Sequence, residues 1–220
     1  MTKRVRVLLA DDHALVADGL AALLREEYEL VGRASDGREL VEAARRLKPE
    51  VVVTDISMPV LNGIDALREL KRVAPDIRVV VVTMHADPHL AAEAVRAGAM
   101  GYVLKHSAGG ELLQAVREVV RGRVYITPLI ARELLASLAA FDGADSGPRL
   151  TARQRQVLQL VAEGHTMKQV AVILSVSRRT AEAHKYQIME LLDVHSIAQL
   201  VQHAIRMGLV SVDAPQPSPR

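Results

Sequence analysis

Four short apolar runs in the chain end on polar residues that could together handle a phosphoryl group. The runs cover residues 5–10, 51–54, 79–82 and 102–104, and they end on Asp11 with Asp12, on Asp55, on Thr83 and on Lys105. Carboxylates held close together cannot all ionise cheaply without a cation, and their oxygens suit Mg²⁺, or Mn²⁺ in its place. A hydroxyl and an ammonium complete a set suited to phosphoryl transfer, in which a carboxylate attacks while cations neutralise the phosphoryl oxygens.

These side chains converge only if the runs are neighbouring parallel strands. Runs this short, rich in Val and separated by helix-length segments, are typical of buried parallel strands. We predict strands near residues 4–10, 28–34, 51–55, 78–83 and 101–104, alternating with helices near 14–26, 37–47, 63–73, 87–97 and 110–121. This alternation predicts an α/β doubly wound parallel sheet of five strands, and ligands bind such sheets at the carboxyl ends of the strands.

Asp55 is the candidate nucleophile among the carboxylates. The chain turns immediately after it, at residues 56–59, and the turn exposes its side chain. A single aspartate after a strand is more often a turn former or a helix cap, and a lone Lys or Thr there carries little information. Agreement among all four strand ends favours a shared site over that ordinary explanation.

The remainder of the chain predicts a second, all-helical domain. Its second and third helices are joined by a tight turn at 175–177, which is helix-turn-helix spacing. Residues 142–148 have the composition of a flexible linker. We divide the chain into a first domain over 1–121, a linker over 122–149 with a helix over 128–140, a small four-helix domain over 150–212 and a disordered tail over 213–220.

Composition sets broad limits on the protein class. The chain has 220 residues, half of them apolar, which is enough for two modest cores. It has no Cys, which excludes disulfides and thiolate metal sites. No run approaches the roughly 18 apolar residues of a membrane span, so we expect a soluble, cytoplasmic protein with no membrane partner. Residues 1–121 hold 17 Lys and Arg against 18 Asp and Glu, and residues 122–220 hold 11 against 8, which favours a nucleic-acid partner for the second half.

The first domain resembles the receiver domain of bacterial two-component response regulators. The residues that carry the resemblance are Asp11-Asp12, Asp55-x-x-Met58-Pro59-x-x-Asn62-Gly63, Thr83 and Gly101-Tyr102-x-x-Lys105. The resemblance implies a flavodoxin-like fold and phosphorylation of Asp55. It also implies a metal site made by Asp11, Asp12, Asp55 and the main-chain carbonyl of Ser57.

The same resemblance implies a conformational switch around the phosphoryl group. Lys105 and Thr83 would stabilise the group, and Tyr102 would turn inward to fill the space that Thr83 leaves. Ser57 and His85, each two residues after a site residue, would tune the lifetime of the phosphoryl group. From its position alone, Tyr102 could instead be a half-buried aromatic at the sheet edge. We expect His13 to be a solvated residue that opens a helix.

The second domain resembles a LuxR-type helix-turn-helix, so the whole chain is similar to regulators of the NarL/FixJ family. The supporting residues are Leu150-Thr151-x-Arg153, Leu160-Val161-Ala162-Glu163-Gly164, Thr180-x-Glu182-x-His184 and Val194-His195-Ser196. A recognition helix from about Arg178 to Leu192 would enter the major groove. Its inward face would hold Ala181, His184, Ile188 and Leu192.

The other faces of that helix supply the candidate DNA contacts. Arg178, Arg179 and Lys185 could bind phosphates, although a solvated helix start explains the two arginines equally well. Glu182 could accept from a cytosine amino group and Ala183 could touch a thymine methyl; Tyr186 could meet a base or a sugar. The chain departs from the family at Glu190, Leu191 and Asp193, where basic residues and a glycine are usual.

The resemblance implies a DNA-binding transcriptional regulator, phosphorylated by a sensor histidine kinase, that forms a homodimer on activation, binds promoter DNA and contacts RNA polymerase. It implies a phosphoryl acceptor and not an enzyme, with at most slow self-dephosphorylation. One alternative is a C-terminal domain that acts through protein contacts. Another is a Mg²⁺-dependent aspartyl phosphatase, which usually has a second acid at the position of Ser57.

Overall fold

The computed structural model describes residues 4–139 and 150–210. The chain divides into two compact units, Met1–Asp142 and Gly143–Arg220. The predicted flexible stretch 142–148 and the predicted tail 213–220 lie outside the described residues. Among the described residues, none of the helices is both long enough and apolar enough to cross a membrane.

The N-terminal unit is built on a parallel sheet whose strand order is β2-β1-β3-β4-β5-β6. The strands are β1 (Arg6–Ala10), β2 (Glu29–Ala34), β3 (Val51–Thr54), β4 (Arg78–Thr83), β5 (Gly101–Leu104) and β6 (Tyr125–Ile126). The doubly wound parallel sheet is confirmed, but the expected count of five strands is one short. The strand β6 was missed because two residues are too few to show any periodicity.

Helices cover both faces of this sheet. They are α1 (Ala14–Glu27), α2 (Gly37–Leu47), α3 (Gly63–Val73), α4 (Pro88–Arg96), α5 (Ala108–Val120) and α6 (Pro128–Ala139), with a 3₁₀ turn at Lys105–Ser107. Alternate strand residues point to opposite faces. Leu8, Val52 and Val81 therefore pack in one core, whereas Val7, Val53 and Val82 pack in the other.

Helix α6 lies in the segment that the sequence analysis assigns to the linker. It ends at Ala139, and Ala140 of the predicted span lies outside the described residues. Ile130 and Leu134 bury their side chains in the same core as α4. The first part of the linker segment is therefore packed onto the N-terminal unit.

The C-terminal unit has four helices, as predicted: α7 (Ala152–Ala162), α8 (Met167–Ile173), α9 (Arg178–Leu191) and α10 (Ile197–Arg206). Capping boxes open three of them, at Thr151, Thr166 and Ser196, and Ser177 caps α9. Their apolar faces share one core that includes Leu160, Val170, Ala181, Ile188 and Leu200. This packing leaves the first two turns of α9 exposed on the side away from the core.

Candidate functional site

The strand ends bring the predicted carboxylates together. Asp11 follows β1 and Asp55 follows β3, and the two strands are neighbours in the sheet. The amide of Asp55 donates to the carbonyl of Ala10 over 2.9 Å, which continues the ladder up to the acidic residues. Both carboxylates are nearly enclosed, with 5% and 3% of the residue surface exposed for Asp11 and Asp55.

Lys105 joins the two buried carboxylates. Its Nζ lies 2.8 Å from Asp11 Oδ2 and 2.7 Å from Asp55 Oδ2. Burial alone lowers the pKa of Lys105, but Asp55 and Asp11 outweigh burial and hold the pKa above its usual value. The ammonium is therefore charged at neutral pH and lies where a group bound to Asp55 would need a cation.

Asp12 and His13 complete the cluster on the solvent side. One ligand atom from each of Asp11, Asp12, His13 and Asp55 lies within 4.8 Å of all the others. Burial raises the pKa of Asp12, His13 lowers it, and the charges of Asp55 and Asp11 raise it further. Carboxylates this close repel one another when they are ionised, so they form a donor set that fits a hard divalent cation.

The loop after Asp55 folds back tightly on the strand end. A Cβ placed on Gly63 would lie 1.9 Å from the carbonyl oxygen of Asp55, so this position excludes every residue except glycine. The amide of Gly63 donates to the carbonyl of Ile56 over 2.8 Å, and Asn62 caps helix α3. Asn62 and Gly63, which belong to the motif that predicted the site, therefore also fix the shape of the loop after Asp55.

Ser57 and His85 face each other beside Asp55. Ser57 Oγ and His85 Nε2 form a hydrogen bond of 2.8 Å, and Ser57 is buried. The sequence motifs indicate these two residues separately, and the structure brings them into contact. Their spacing of 28 residues gave no sign of it.

Thr83 and Tyr102 both form hydrogen bonds to the main chain of His85. The Thr83 hydroxyl accepts from the amide of His85 over 3.3 Å, and the Tyr102 hydroxyl donates to the carbonyl of His85 over 2.8 Å. Tyr102 is fully buried in the inward position, so the half-buried alternative is wrong. Burial raises the pKa of its hydroxyl, which therefore keeps its proton to donate.

The start of the predicted linker is bonded to the strand that carries Tyr102, which the sequence analysis missed. The amide of Thr127 donates to the carbonyl of Tyr102 over 2.9 Å, and the Thr127 hydroxyl accepts from the amide of Leu104 over 3.2 Å. That hydroxyl donates to Glu111 Oε2 over 2.7 Å, and the Tyr125 hydroxyl donates to the same oxygen over 3.1 Å. Hydrogen bonds to Thr127 thus connect strand β5, which carries Tyr102, with the start of helix α6.

On the C-terminal unit, α9 presents the predicted DNA-contact residues. Ala181 and Ile188 are fully buried as expected, and His184 and Leu192 are half-buried. The exposed or partly exposed residues include all six candidates: Arg178, Arg179, Glu182, Ala183, Lys185 and Tyr186.

Some of these side chains contact one another along the helix. Arg178 Nε lies 2.8 Å from Glu182 Oε1, and Lys185 Nζ lies 4.5 Å from the centre of the Tyr186 ring. The predicted hydrogen bond from a base to Glu182 therefore requires that its carboxylate breaks the ion pair with Arg178 or binds both groups at once. After the helix, Asp193 adopts the left-handed conformation, with φ of 51°, where the resemblance expects glycine.

Comparisons with known proteins match both parts of the chain to protein families. Residues 7–117 match the response regulator receiver domain, and residues 148–204 match the bacterial regulatory proteins of the luxR family. Response regulator GacA of Pseudomonas aeruginosa is 36% identical over 209 residues, which cover 94% of this chain and 98% of that protein.

Solved structures of the RcsB response regulator of Salmonella typhimurium are also similar. One is 28% identical with a TM-score of 0.67, and covers 94% of this chain and 99% of that one. Another, bound to promoter rprA in the presence of the phosphomimetic BeF₃⁻, is 28% identical with a TM-score of 0.62, and covers 90% and 98%. The chain belongs to the NarL/FixJ family of two-component response regulators, in which a receiver domain precedes a LuxR-type DNA-binding domain.

Proposed function

We propose that Asp55 takes a phosphoryl group from a phosphohistidine of a sensor histidine kinase, and that this controls binding of the C-terminal domain to promoter DNA. The bond between phosphorus and the histidine nitrogen breaks as the bond to an Asp55 carboxylate oxygen forms. The observation that carries the proposal is Lys105 Nζ, held 2.7 Å from Asp55 and 2.8 Å from Asp11 inside a cluster of three carboxylates.

Asp11, Asp12, Asp55 and the main-chain carbonyl of Ser57 would hold Mg²⁺, or Mn²⁺ in its place. Their oxygens are the ligands that a hard cation prefers. Burial and the charges of Asp55 and Asp11 raise the pKa of Asp12, and a bound cation would favour its ionised form. The bound ion would neutralise oxygens of the transferring group.

The chain's own residues perform the remaining roles. Lys105 neutralises one phosphoryl oxygen, and the Thr83 hydroxyl donates to another, which draws the start of the β4–α4 loop toward Asp55. The Ser57–His85 pair flanks the acyl phosphate and sets how fast water reaches it. Ser57 stands where an aspartyl phosphatase usually has a second acid, and we propose a phosphoryl acceptor with at most slow self-dephosphorylation and not an enzyme.

The C-terminal domain makes this protein a DNA-binding transcriptional regulator. Solved RcsB complexes contain dimers on DNA, and we propose the same for this chain: a homodimer that places two α9 helices on paired half-sites. The relatives bound to DNA argue against a C-terminal domain that acts through protein contacts alone. We propose further that the bound dimer contacts RNA polymerase, and that the protein acts in the cytoplasm where promoter DNA is reached.

Label transfer from a small phosphodonor tests the first step. Acetyl phosphate with Mg²⁺ should label the full chain and the Asp18→Asn control, whose carboxylate lies on the exposed face of α1. Asp55→Asn should take up no label. Equal labelling of Asp55→Asn would refute Asp55 as the acceptor.

A further inference from the structure

Thr127 joins the strand that precedes Lys105 to the helix that follows it. The residue lies between β6 and α6 and is 2% exposed. Its hydroxyl accepts from the amide of Leu104, the residue directly before Lys105, over 3.2 Å. The same hydroxyl donates to Glu111 Oε2, in the first turn of α5, over 2.7 Å. Thr127 therefore holds both ends of the Lys105 segment, which we define as residues 104–111.

The Lys105 segment has a weak local structure. It consists of the 3₁₀ turn and the first turn of α5. Ser107, at the N-cap position of α5, donates its hydroxyl proton backward to the carbonyl of Leu104 over 3.1 Å. Gly109 and Gly110 follow in the first turn, and glycine is the weakest helix former after proline. Hydrogen bonds from outside the segment therefore have a large share in fixing its position.

The position of Thr127 depends in turn on the start of the linker. Its amide donates to the carbonyl of Tyr102 over 2.9 Å, which attaches the chain to β5. Helix α6 begins directly afterwards, at Pro128, and buries Ile130 and Leu134 in the core of the N-terminal unit. The contact between Thr127 and the Lys105 segment therefore persists only while this part of the linker stays on the sheet.

We propose that Thr127 is a positioning residue for Lys105, so that detaching the start of the linker from β5 slows phosphorylation of Asp55. The proposal rests on the proposed function, because it concerns the same phosphoryl transfer. The Lys105 ammonium must move from the Asp55 carboxylate to an oxygen of the incoming group, and it does so from a main chain whose position Thr127 sets. Such placement matters, because a misplacement of about 1 Å costs up to ~100-fold in rate.

A competing explanation gives Thr127 a role only in the packing of α6. The Lys105 ammonium is paired with Asp11 and Asp55 over 2.8 and 2.7 Å, and these carboxylates could hold it without help from the main chain. Loss of the Thr127 hydroxyl would then lower the stability but leave the ammonium and the rate of phosphorylation unchanged. The two explanations therefore differ in what happens at Lys105.

The experiment compares the full wild-type chain with Thr127→Val, Thr127→Ser and Ile130→Val. Valine keeps the shape of threonine without its hydroxyl, and serine keeps the hydroxyl. Ile130→Val is the control, because it loosens the packing of α6 and leaves the Thr127 hydroxyl in place. The initial rate of labelling by acetyl phosphate with Mg²⁺ should fall about tenfold in Thr127→Val and stay within about twofold of the wild type in the other two.

Nuclear magnetic resonance of the Lys105 ammonium gives a readout that a packing role would not change. The signal is assigned by its loss in Lys105→Met and is recorded without a phosphodonor. Its nitrogen shift should change in Thr127→Val, because the ammonium leaves its position between Asp11 and Asp55. The shift should match the wild type in Thr127→Ser and in Ile130→Val.

A wild-type rate in Thr127→Val overturns the proposal, as does a slow rate with an unchanged Lys105 signal or an equal slowing in Ile130→Val. A wild type that takes up no label contradicts the proposed function instead, and the Lys105 signal then still shows whether Thr127 positions the lysine. Circular dichroism confirms that the variants fold. If Thr127→Val does not fold, Glu111→Ala breaks the same contact from the side of α5; it should also slow labelling and change the Lys105 signal, and a wild-type result would overturn the proposal.

Discussion

The carboxylate cluster around Asp55 and the recognition helix α9 hold their charged side chains in opposite ways. Around Asp55 the charges are buried and face each other across the ends of different strands, with Lys105 within 2.8 Å of two carboxylates. On α9 the charges are exposed and contact residues of the same helix, as Arg178 does with Glu182. The fold therefore positions the first set, whereas a partner must position the second.

This difference follows from what each site has to recognise. A phosphoryl group is small, so a few fixed charges at the right distances can hold it, and burial strengthens each interaction. A DNA backbone is long and already hydrated, and basic side chains bind it by displacing counterions from an exposed surface. Arginines of α9 that were buried could not reach a DNA backbone.

Removal of one cation from each site should give the largest contrast. Lys105→Met leaves two buried carboxylates without their partner and should lower the free energy of unfolding by about 3 kcal/mol in metal-free buffer. Arg178→Met breaks an exposed pair within one helix and should cost about 0.5 kcal/mol or less. Urea unfolding followed by circular dichroism measures both.

Added Mg²⁺ sharpens this contrast. It should restore part of the stability that Lys105→Met loses, because a second cation then neutralises the same carboxylates, and it should leave Arg178→Met unchanged. Equal losses in the two variants would contradict the claim that the fold positions the charges around Asp55 but not those of α9.

The cluster around Asp55 could be predicted from the sequence because the ends of the strands are easy to locate. Each Val-rich run stops at the residue that enters the site, and parallel strands must end at one edge, so Asp11, Asp55 and Lys105 could be placed together without coordinates. The Ser57–His85 hydrogen bond could not be placed, because it depends on how the loops after β3 and β4 fold back. No periodicity encodes such loops. For Tyr102 the position in the chain left two orientations open, and only the resemblance implied the inward one.

For the recognition helix, the sequence predicted which residues are buried but not which contacts the exposed side chains make. The helical period correctly predicted that Ala181 and Ile188 are buried. The spacing of four residues between Arg178 and Glu182 could have revealed their ion pair, which the sequence analysis overlooked. Contacts to individual bases stay predictions, because an exposed side chain takes its final conformation only on the DNA.

The dependence of DNA affinity on salt tests whether an exposed arginine of α9 binds a phosphate. Arg179 is exposed at the start of α9, and Arg179→Ala should lower the slope of log affinity against log salt concentration by about 1 if its guanidinium neutralises a phosphate. The slope is measured by fluorescence anisotropy on a promoter fragment at several salt concentrations. Arg132→Ala, on the exposed face of α6, should leave the slope unchanged.

A loss of affinity in Arg179→Ala that is the same at every salt concentration would point to a base or packing contact instead. A change confined to some DNA sequences would do so too, since phosphate contacts carry no sequence information. Either result would show that Arg179 makes a specific contact and does not only neutralise a phosphate.

The smallest expected change in stability concerns one residue with left-handed backbone in the loop after Asp55 and one after helix α9. Val60 lies in the loop after Asp55 with φ of 67°, and the amide of Leu61 donates to the carbonyl of Pro59 across it over 2.7 Å. This closes a strained three-residue turn around a β-branched side chain. Asp193, after α9, has φ of 51°, which a short polar side chain tolerates better.

Glycine at each position should therefore relieve unequal amounts of strain. Val60→Gly should raise the free energy of unfolding by about 1 kcal/mol, because the strain relieved exceeds the entropy that glycine adds to the unfolded chain. Asp193→Gly should change it by about 0.5 kcal/mol or less, since strain and entropy nearly cancel there. Destabilisation by Val60→Gly, seen as a lower urea midpoint, would mean that packing of this half-buried side chain outweighs the backbone strain. The receiver loop would then owe its shape to side-chain contacts, whereas the end of the recognition helix would owe its shape to the backbone alone.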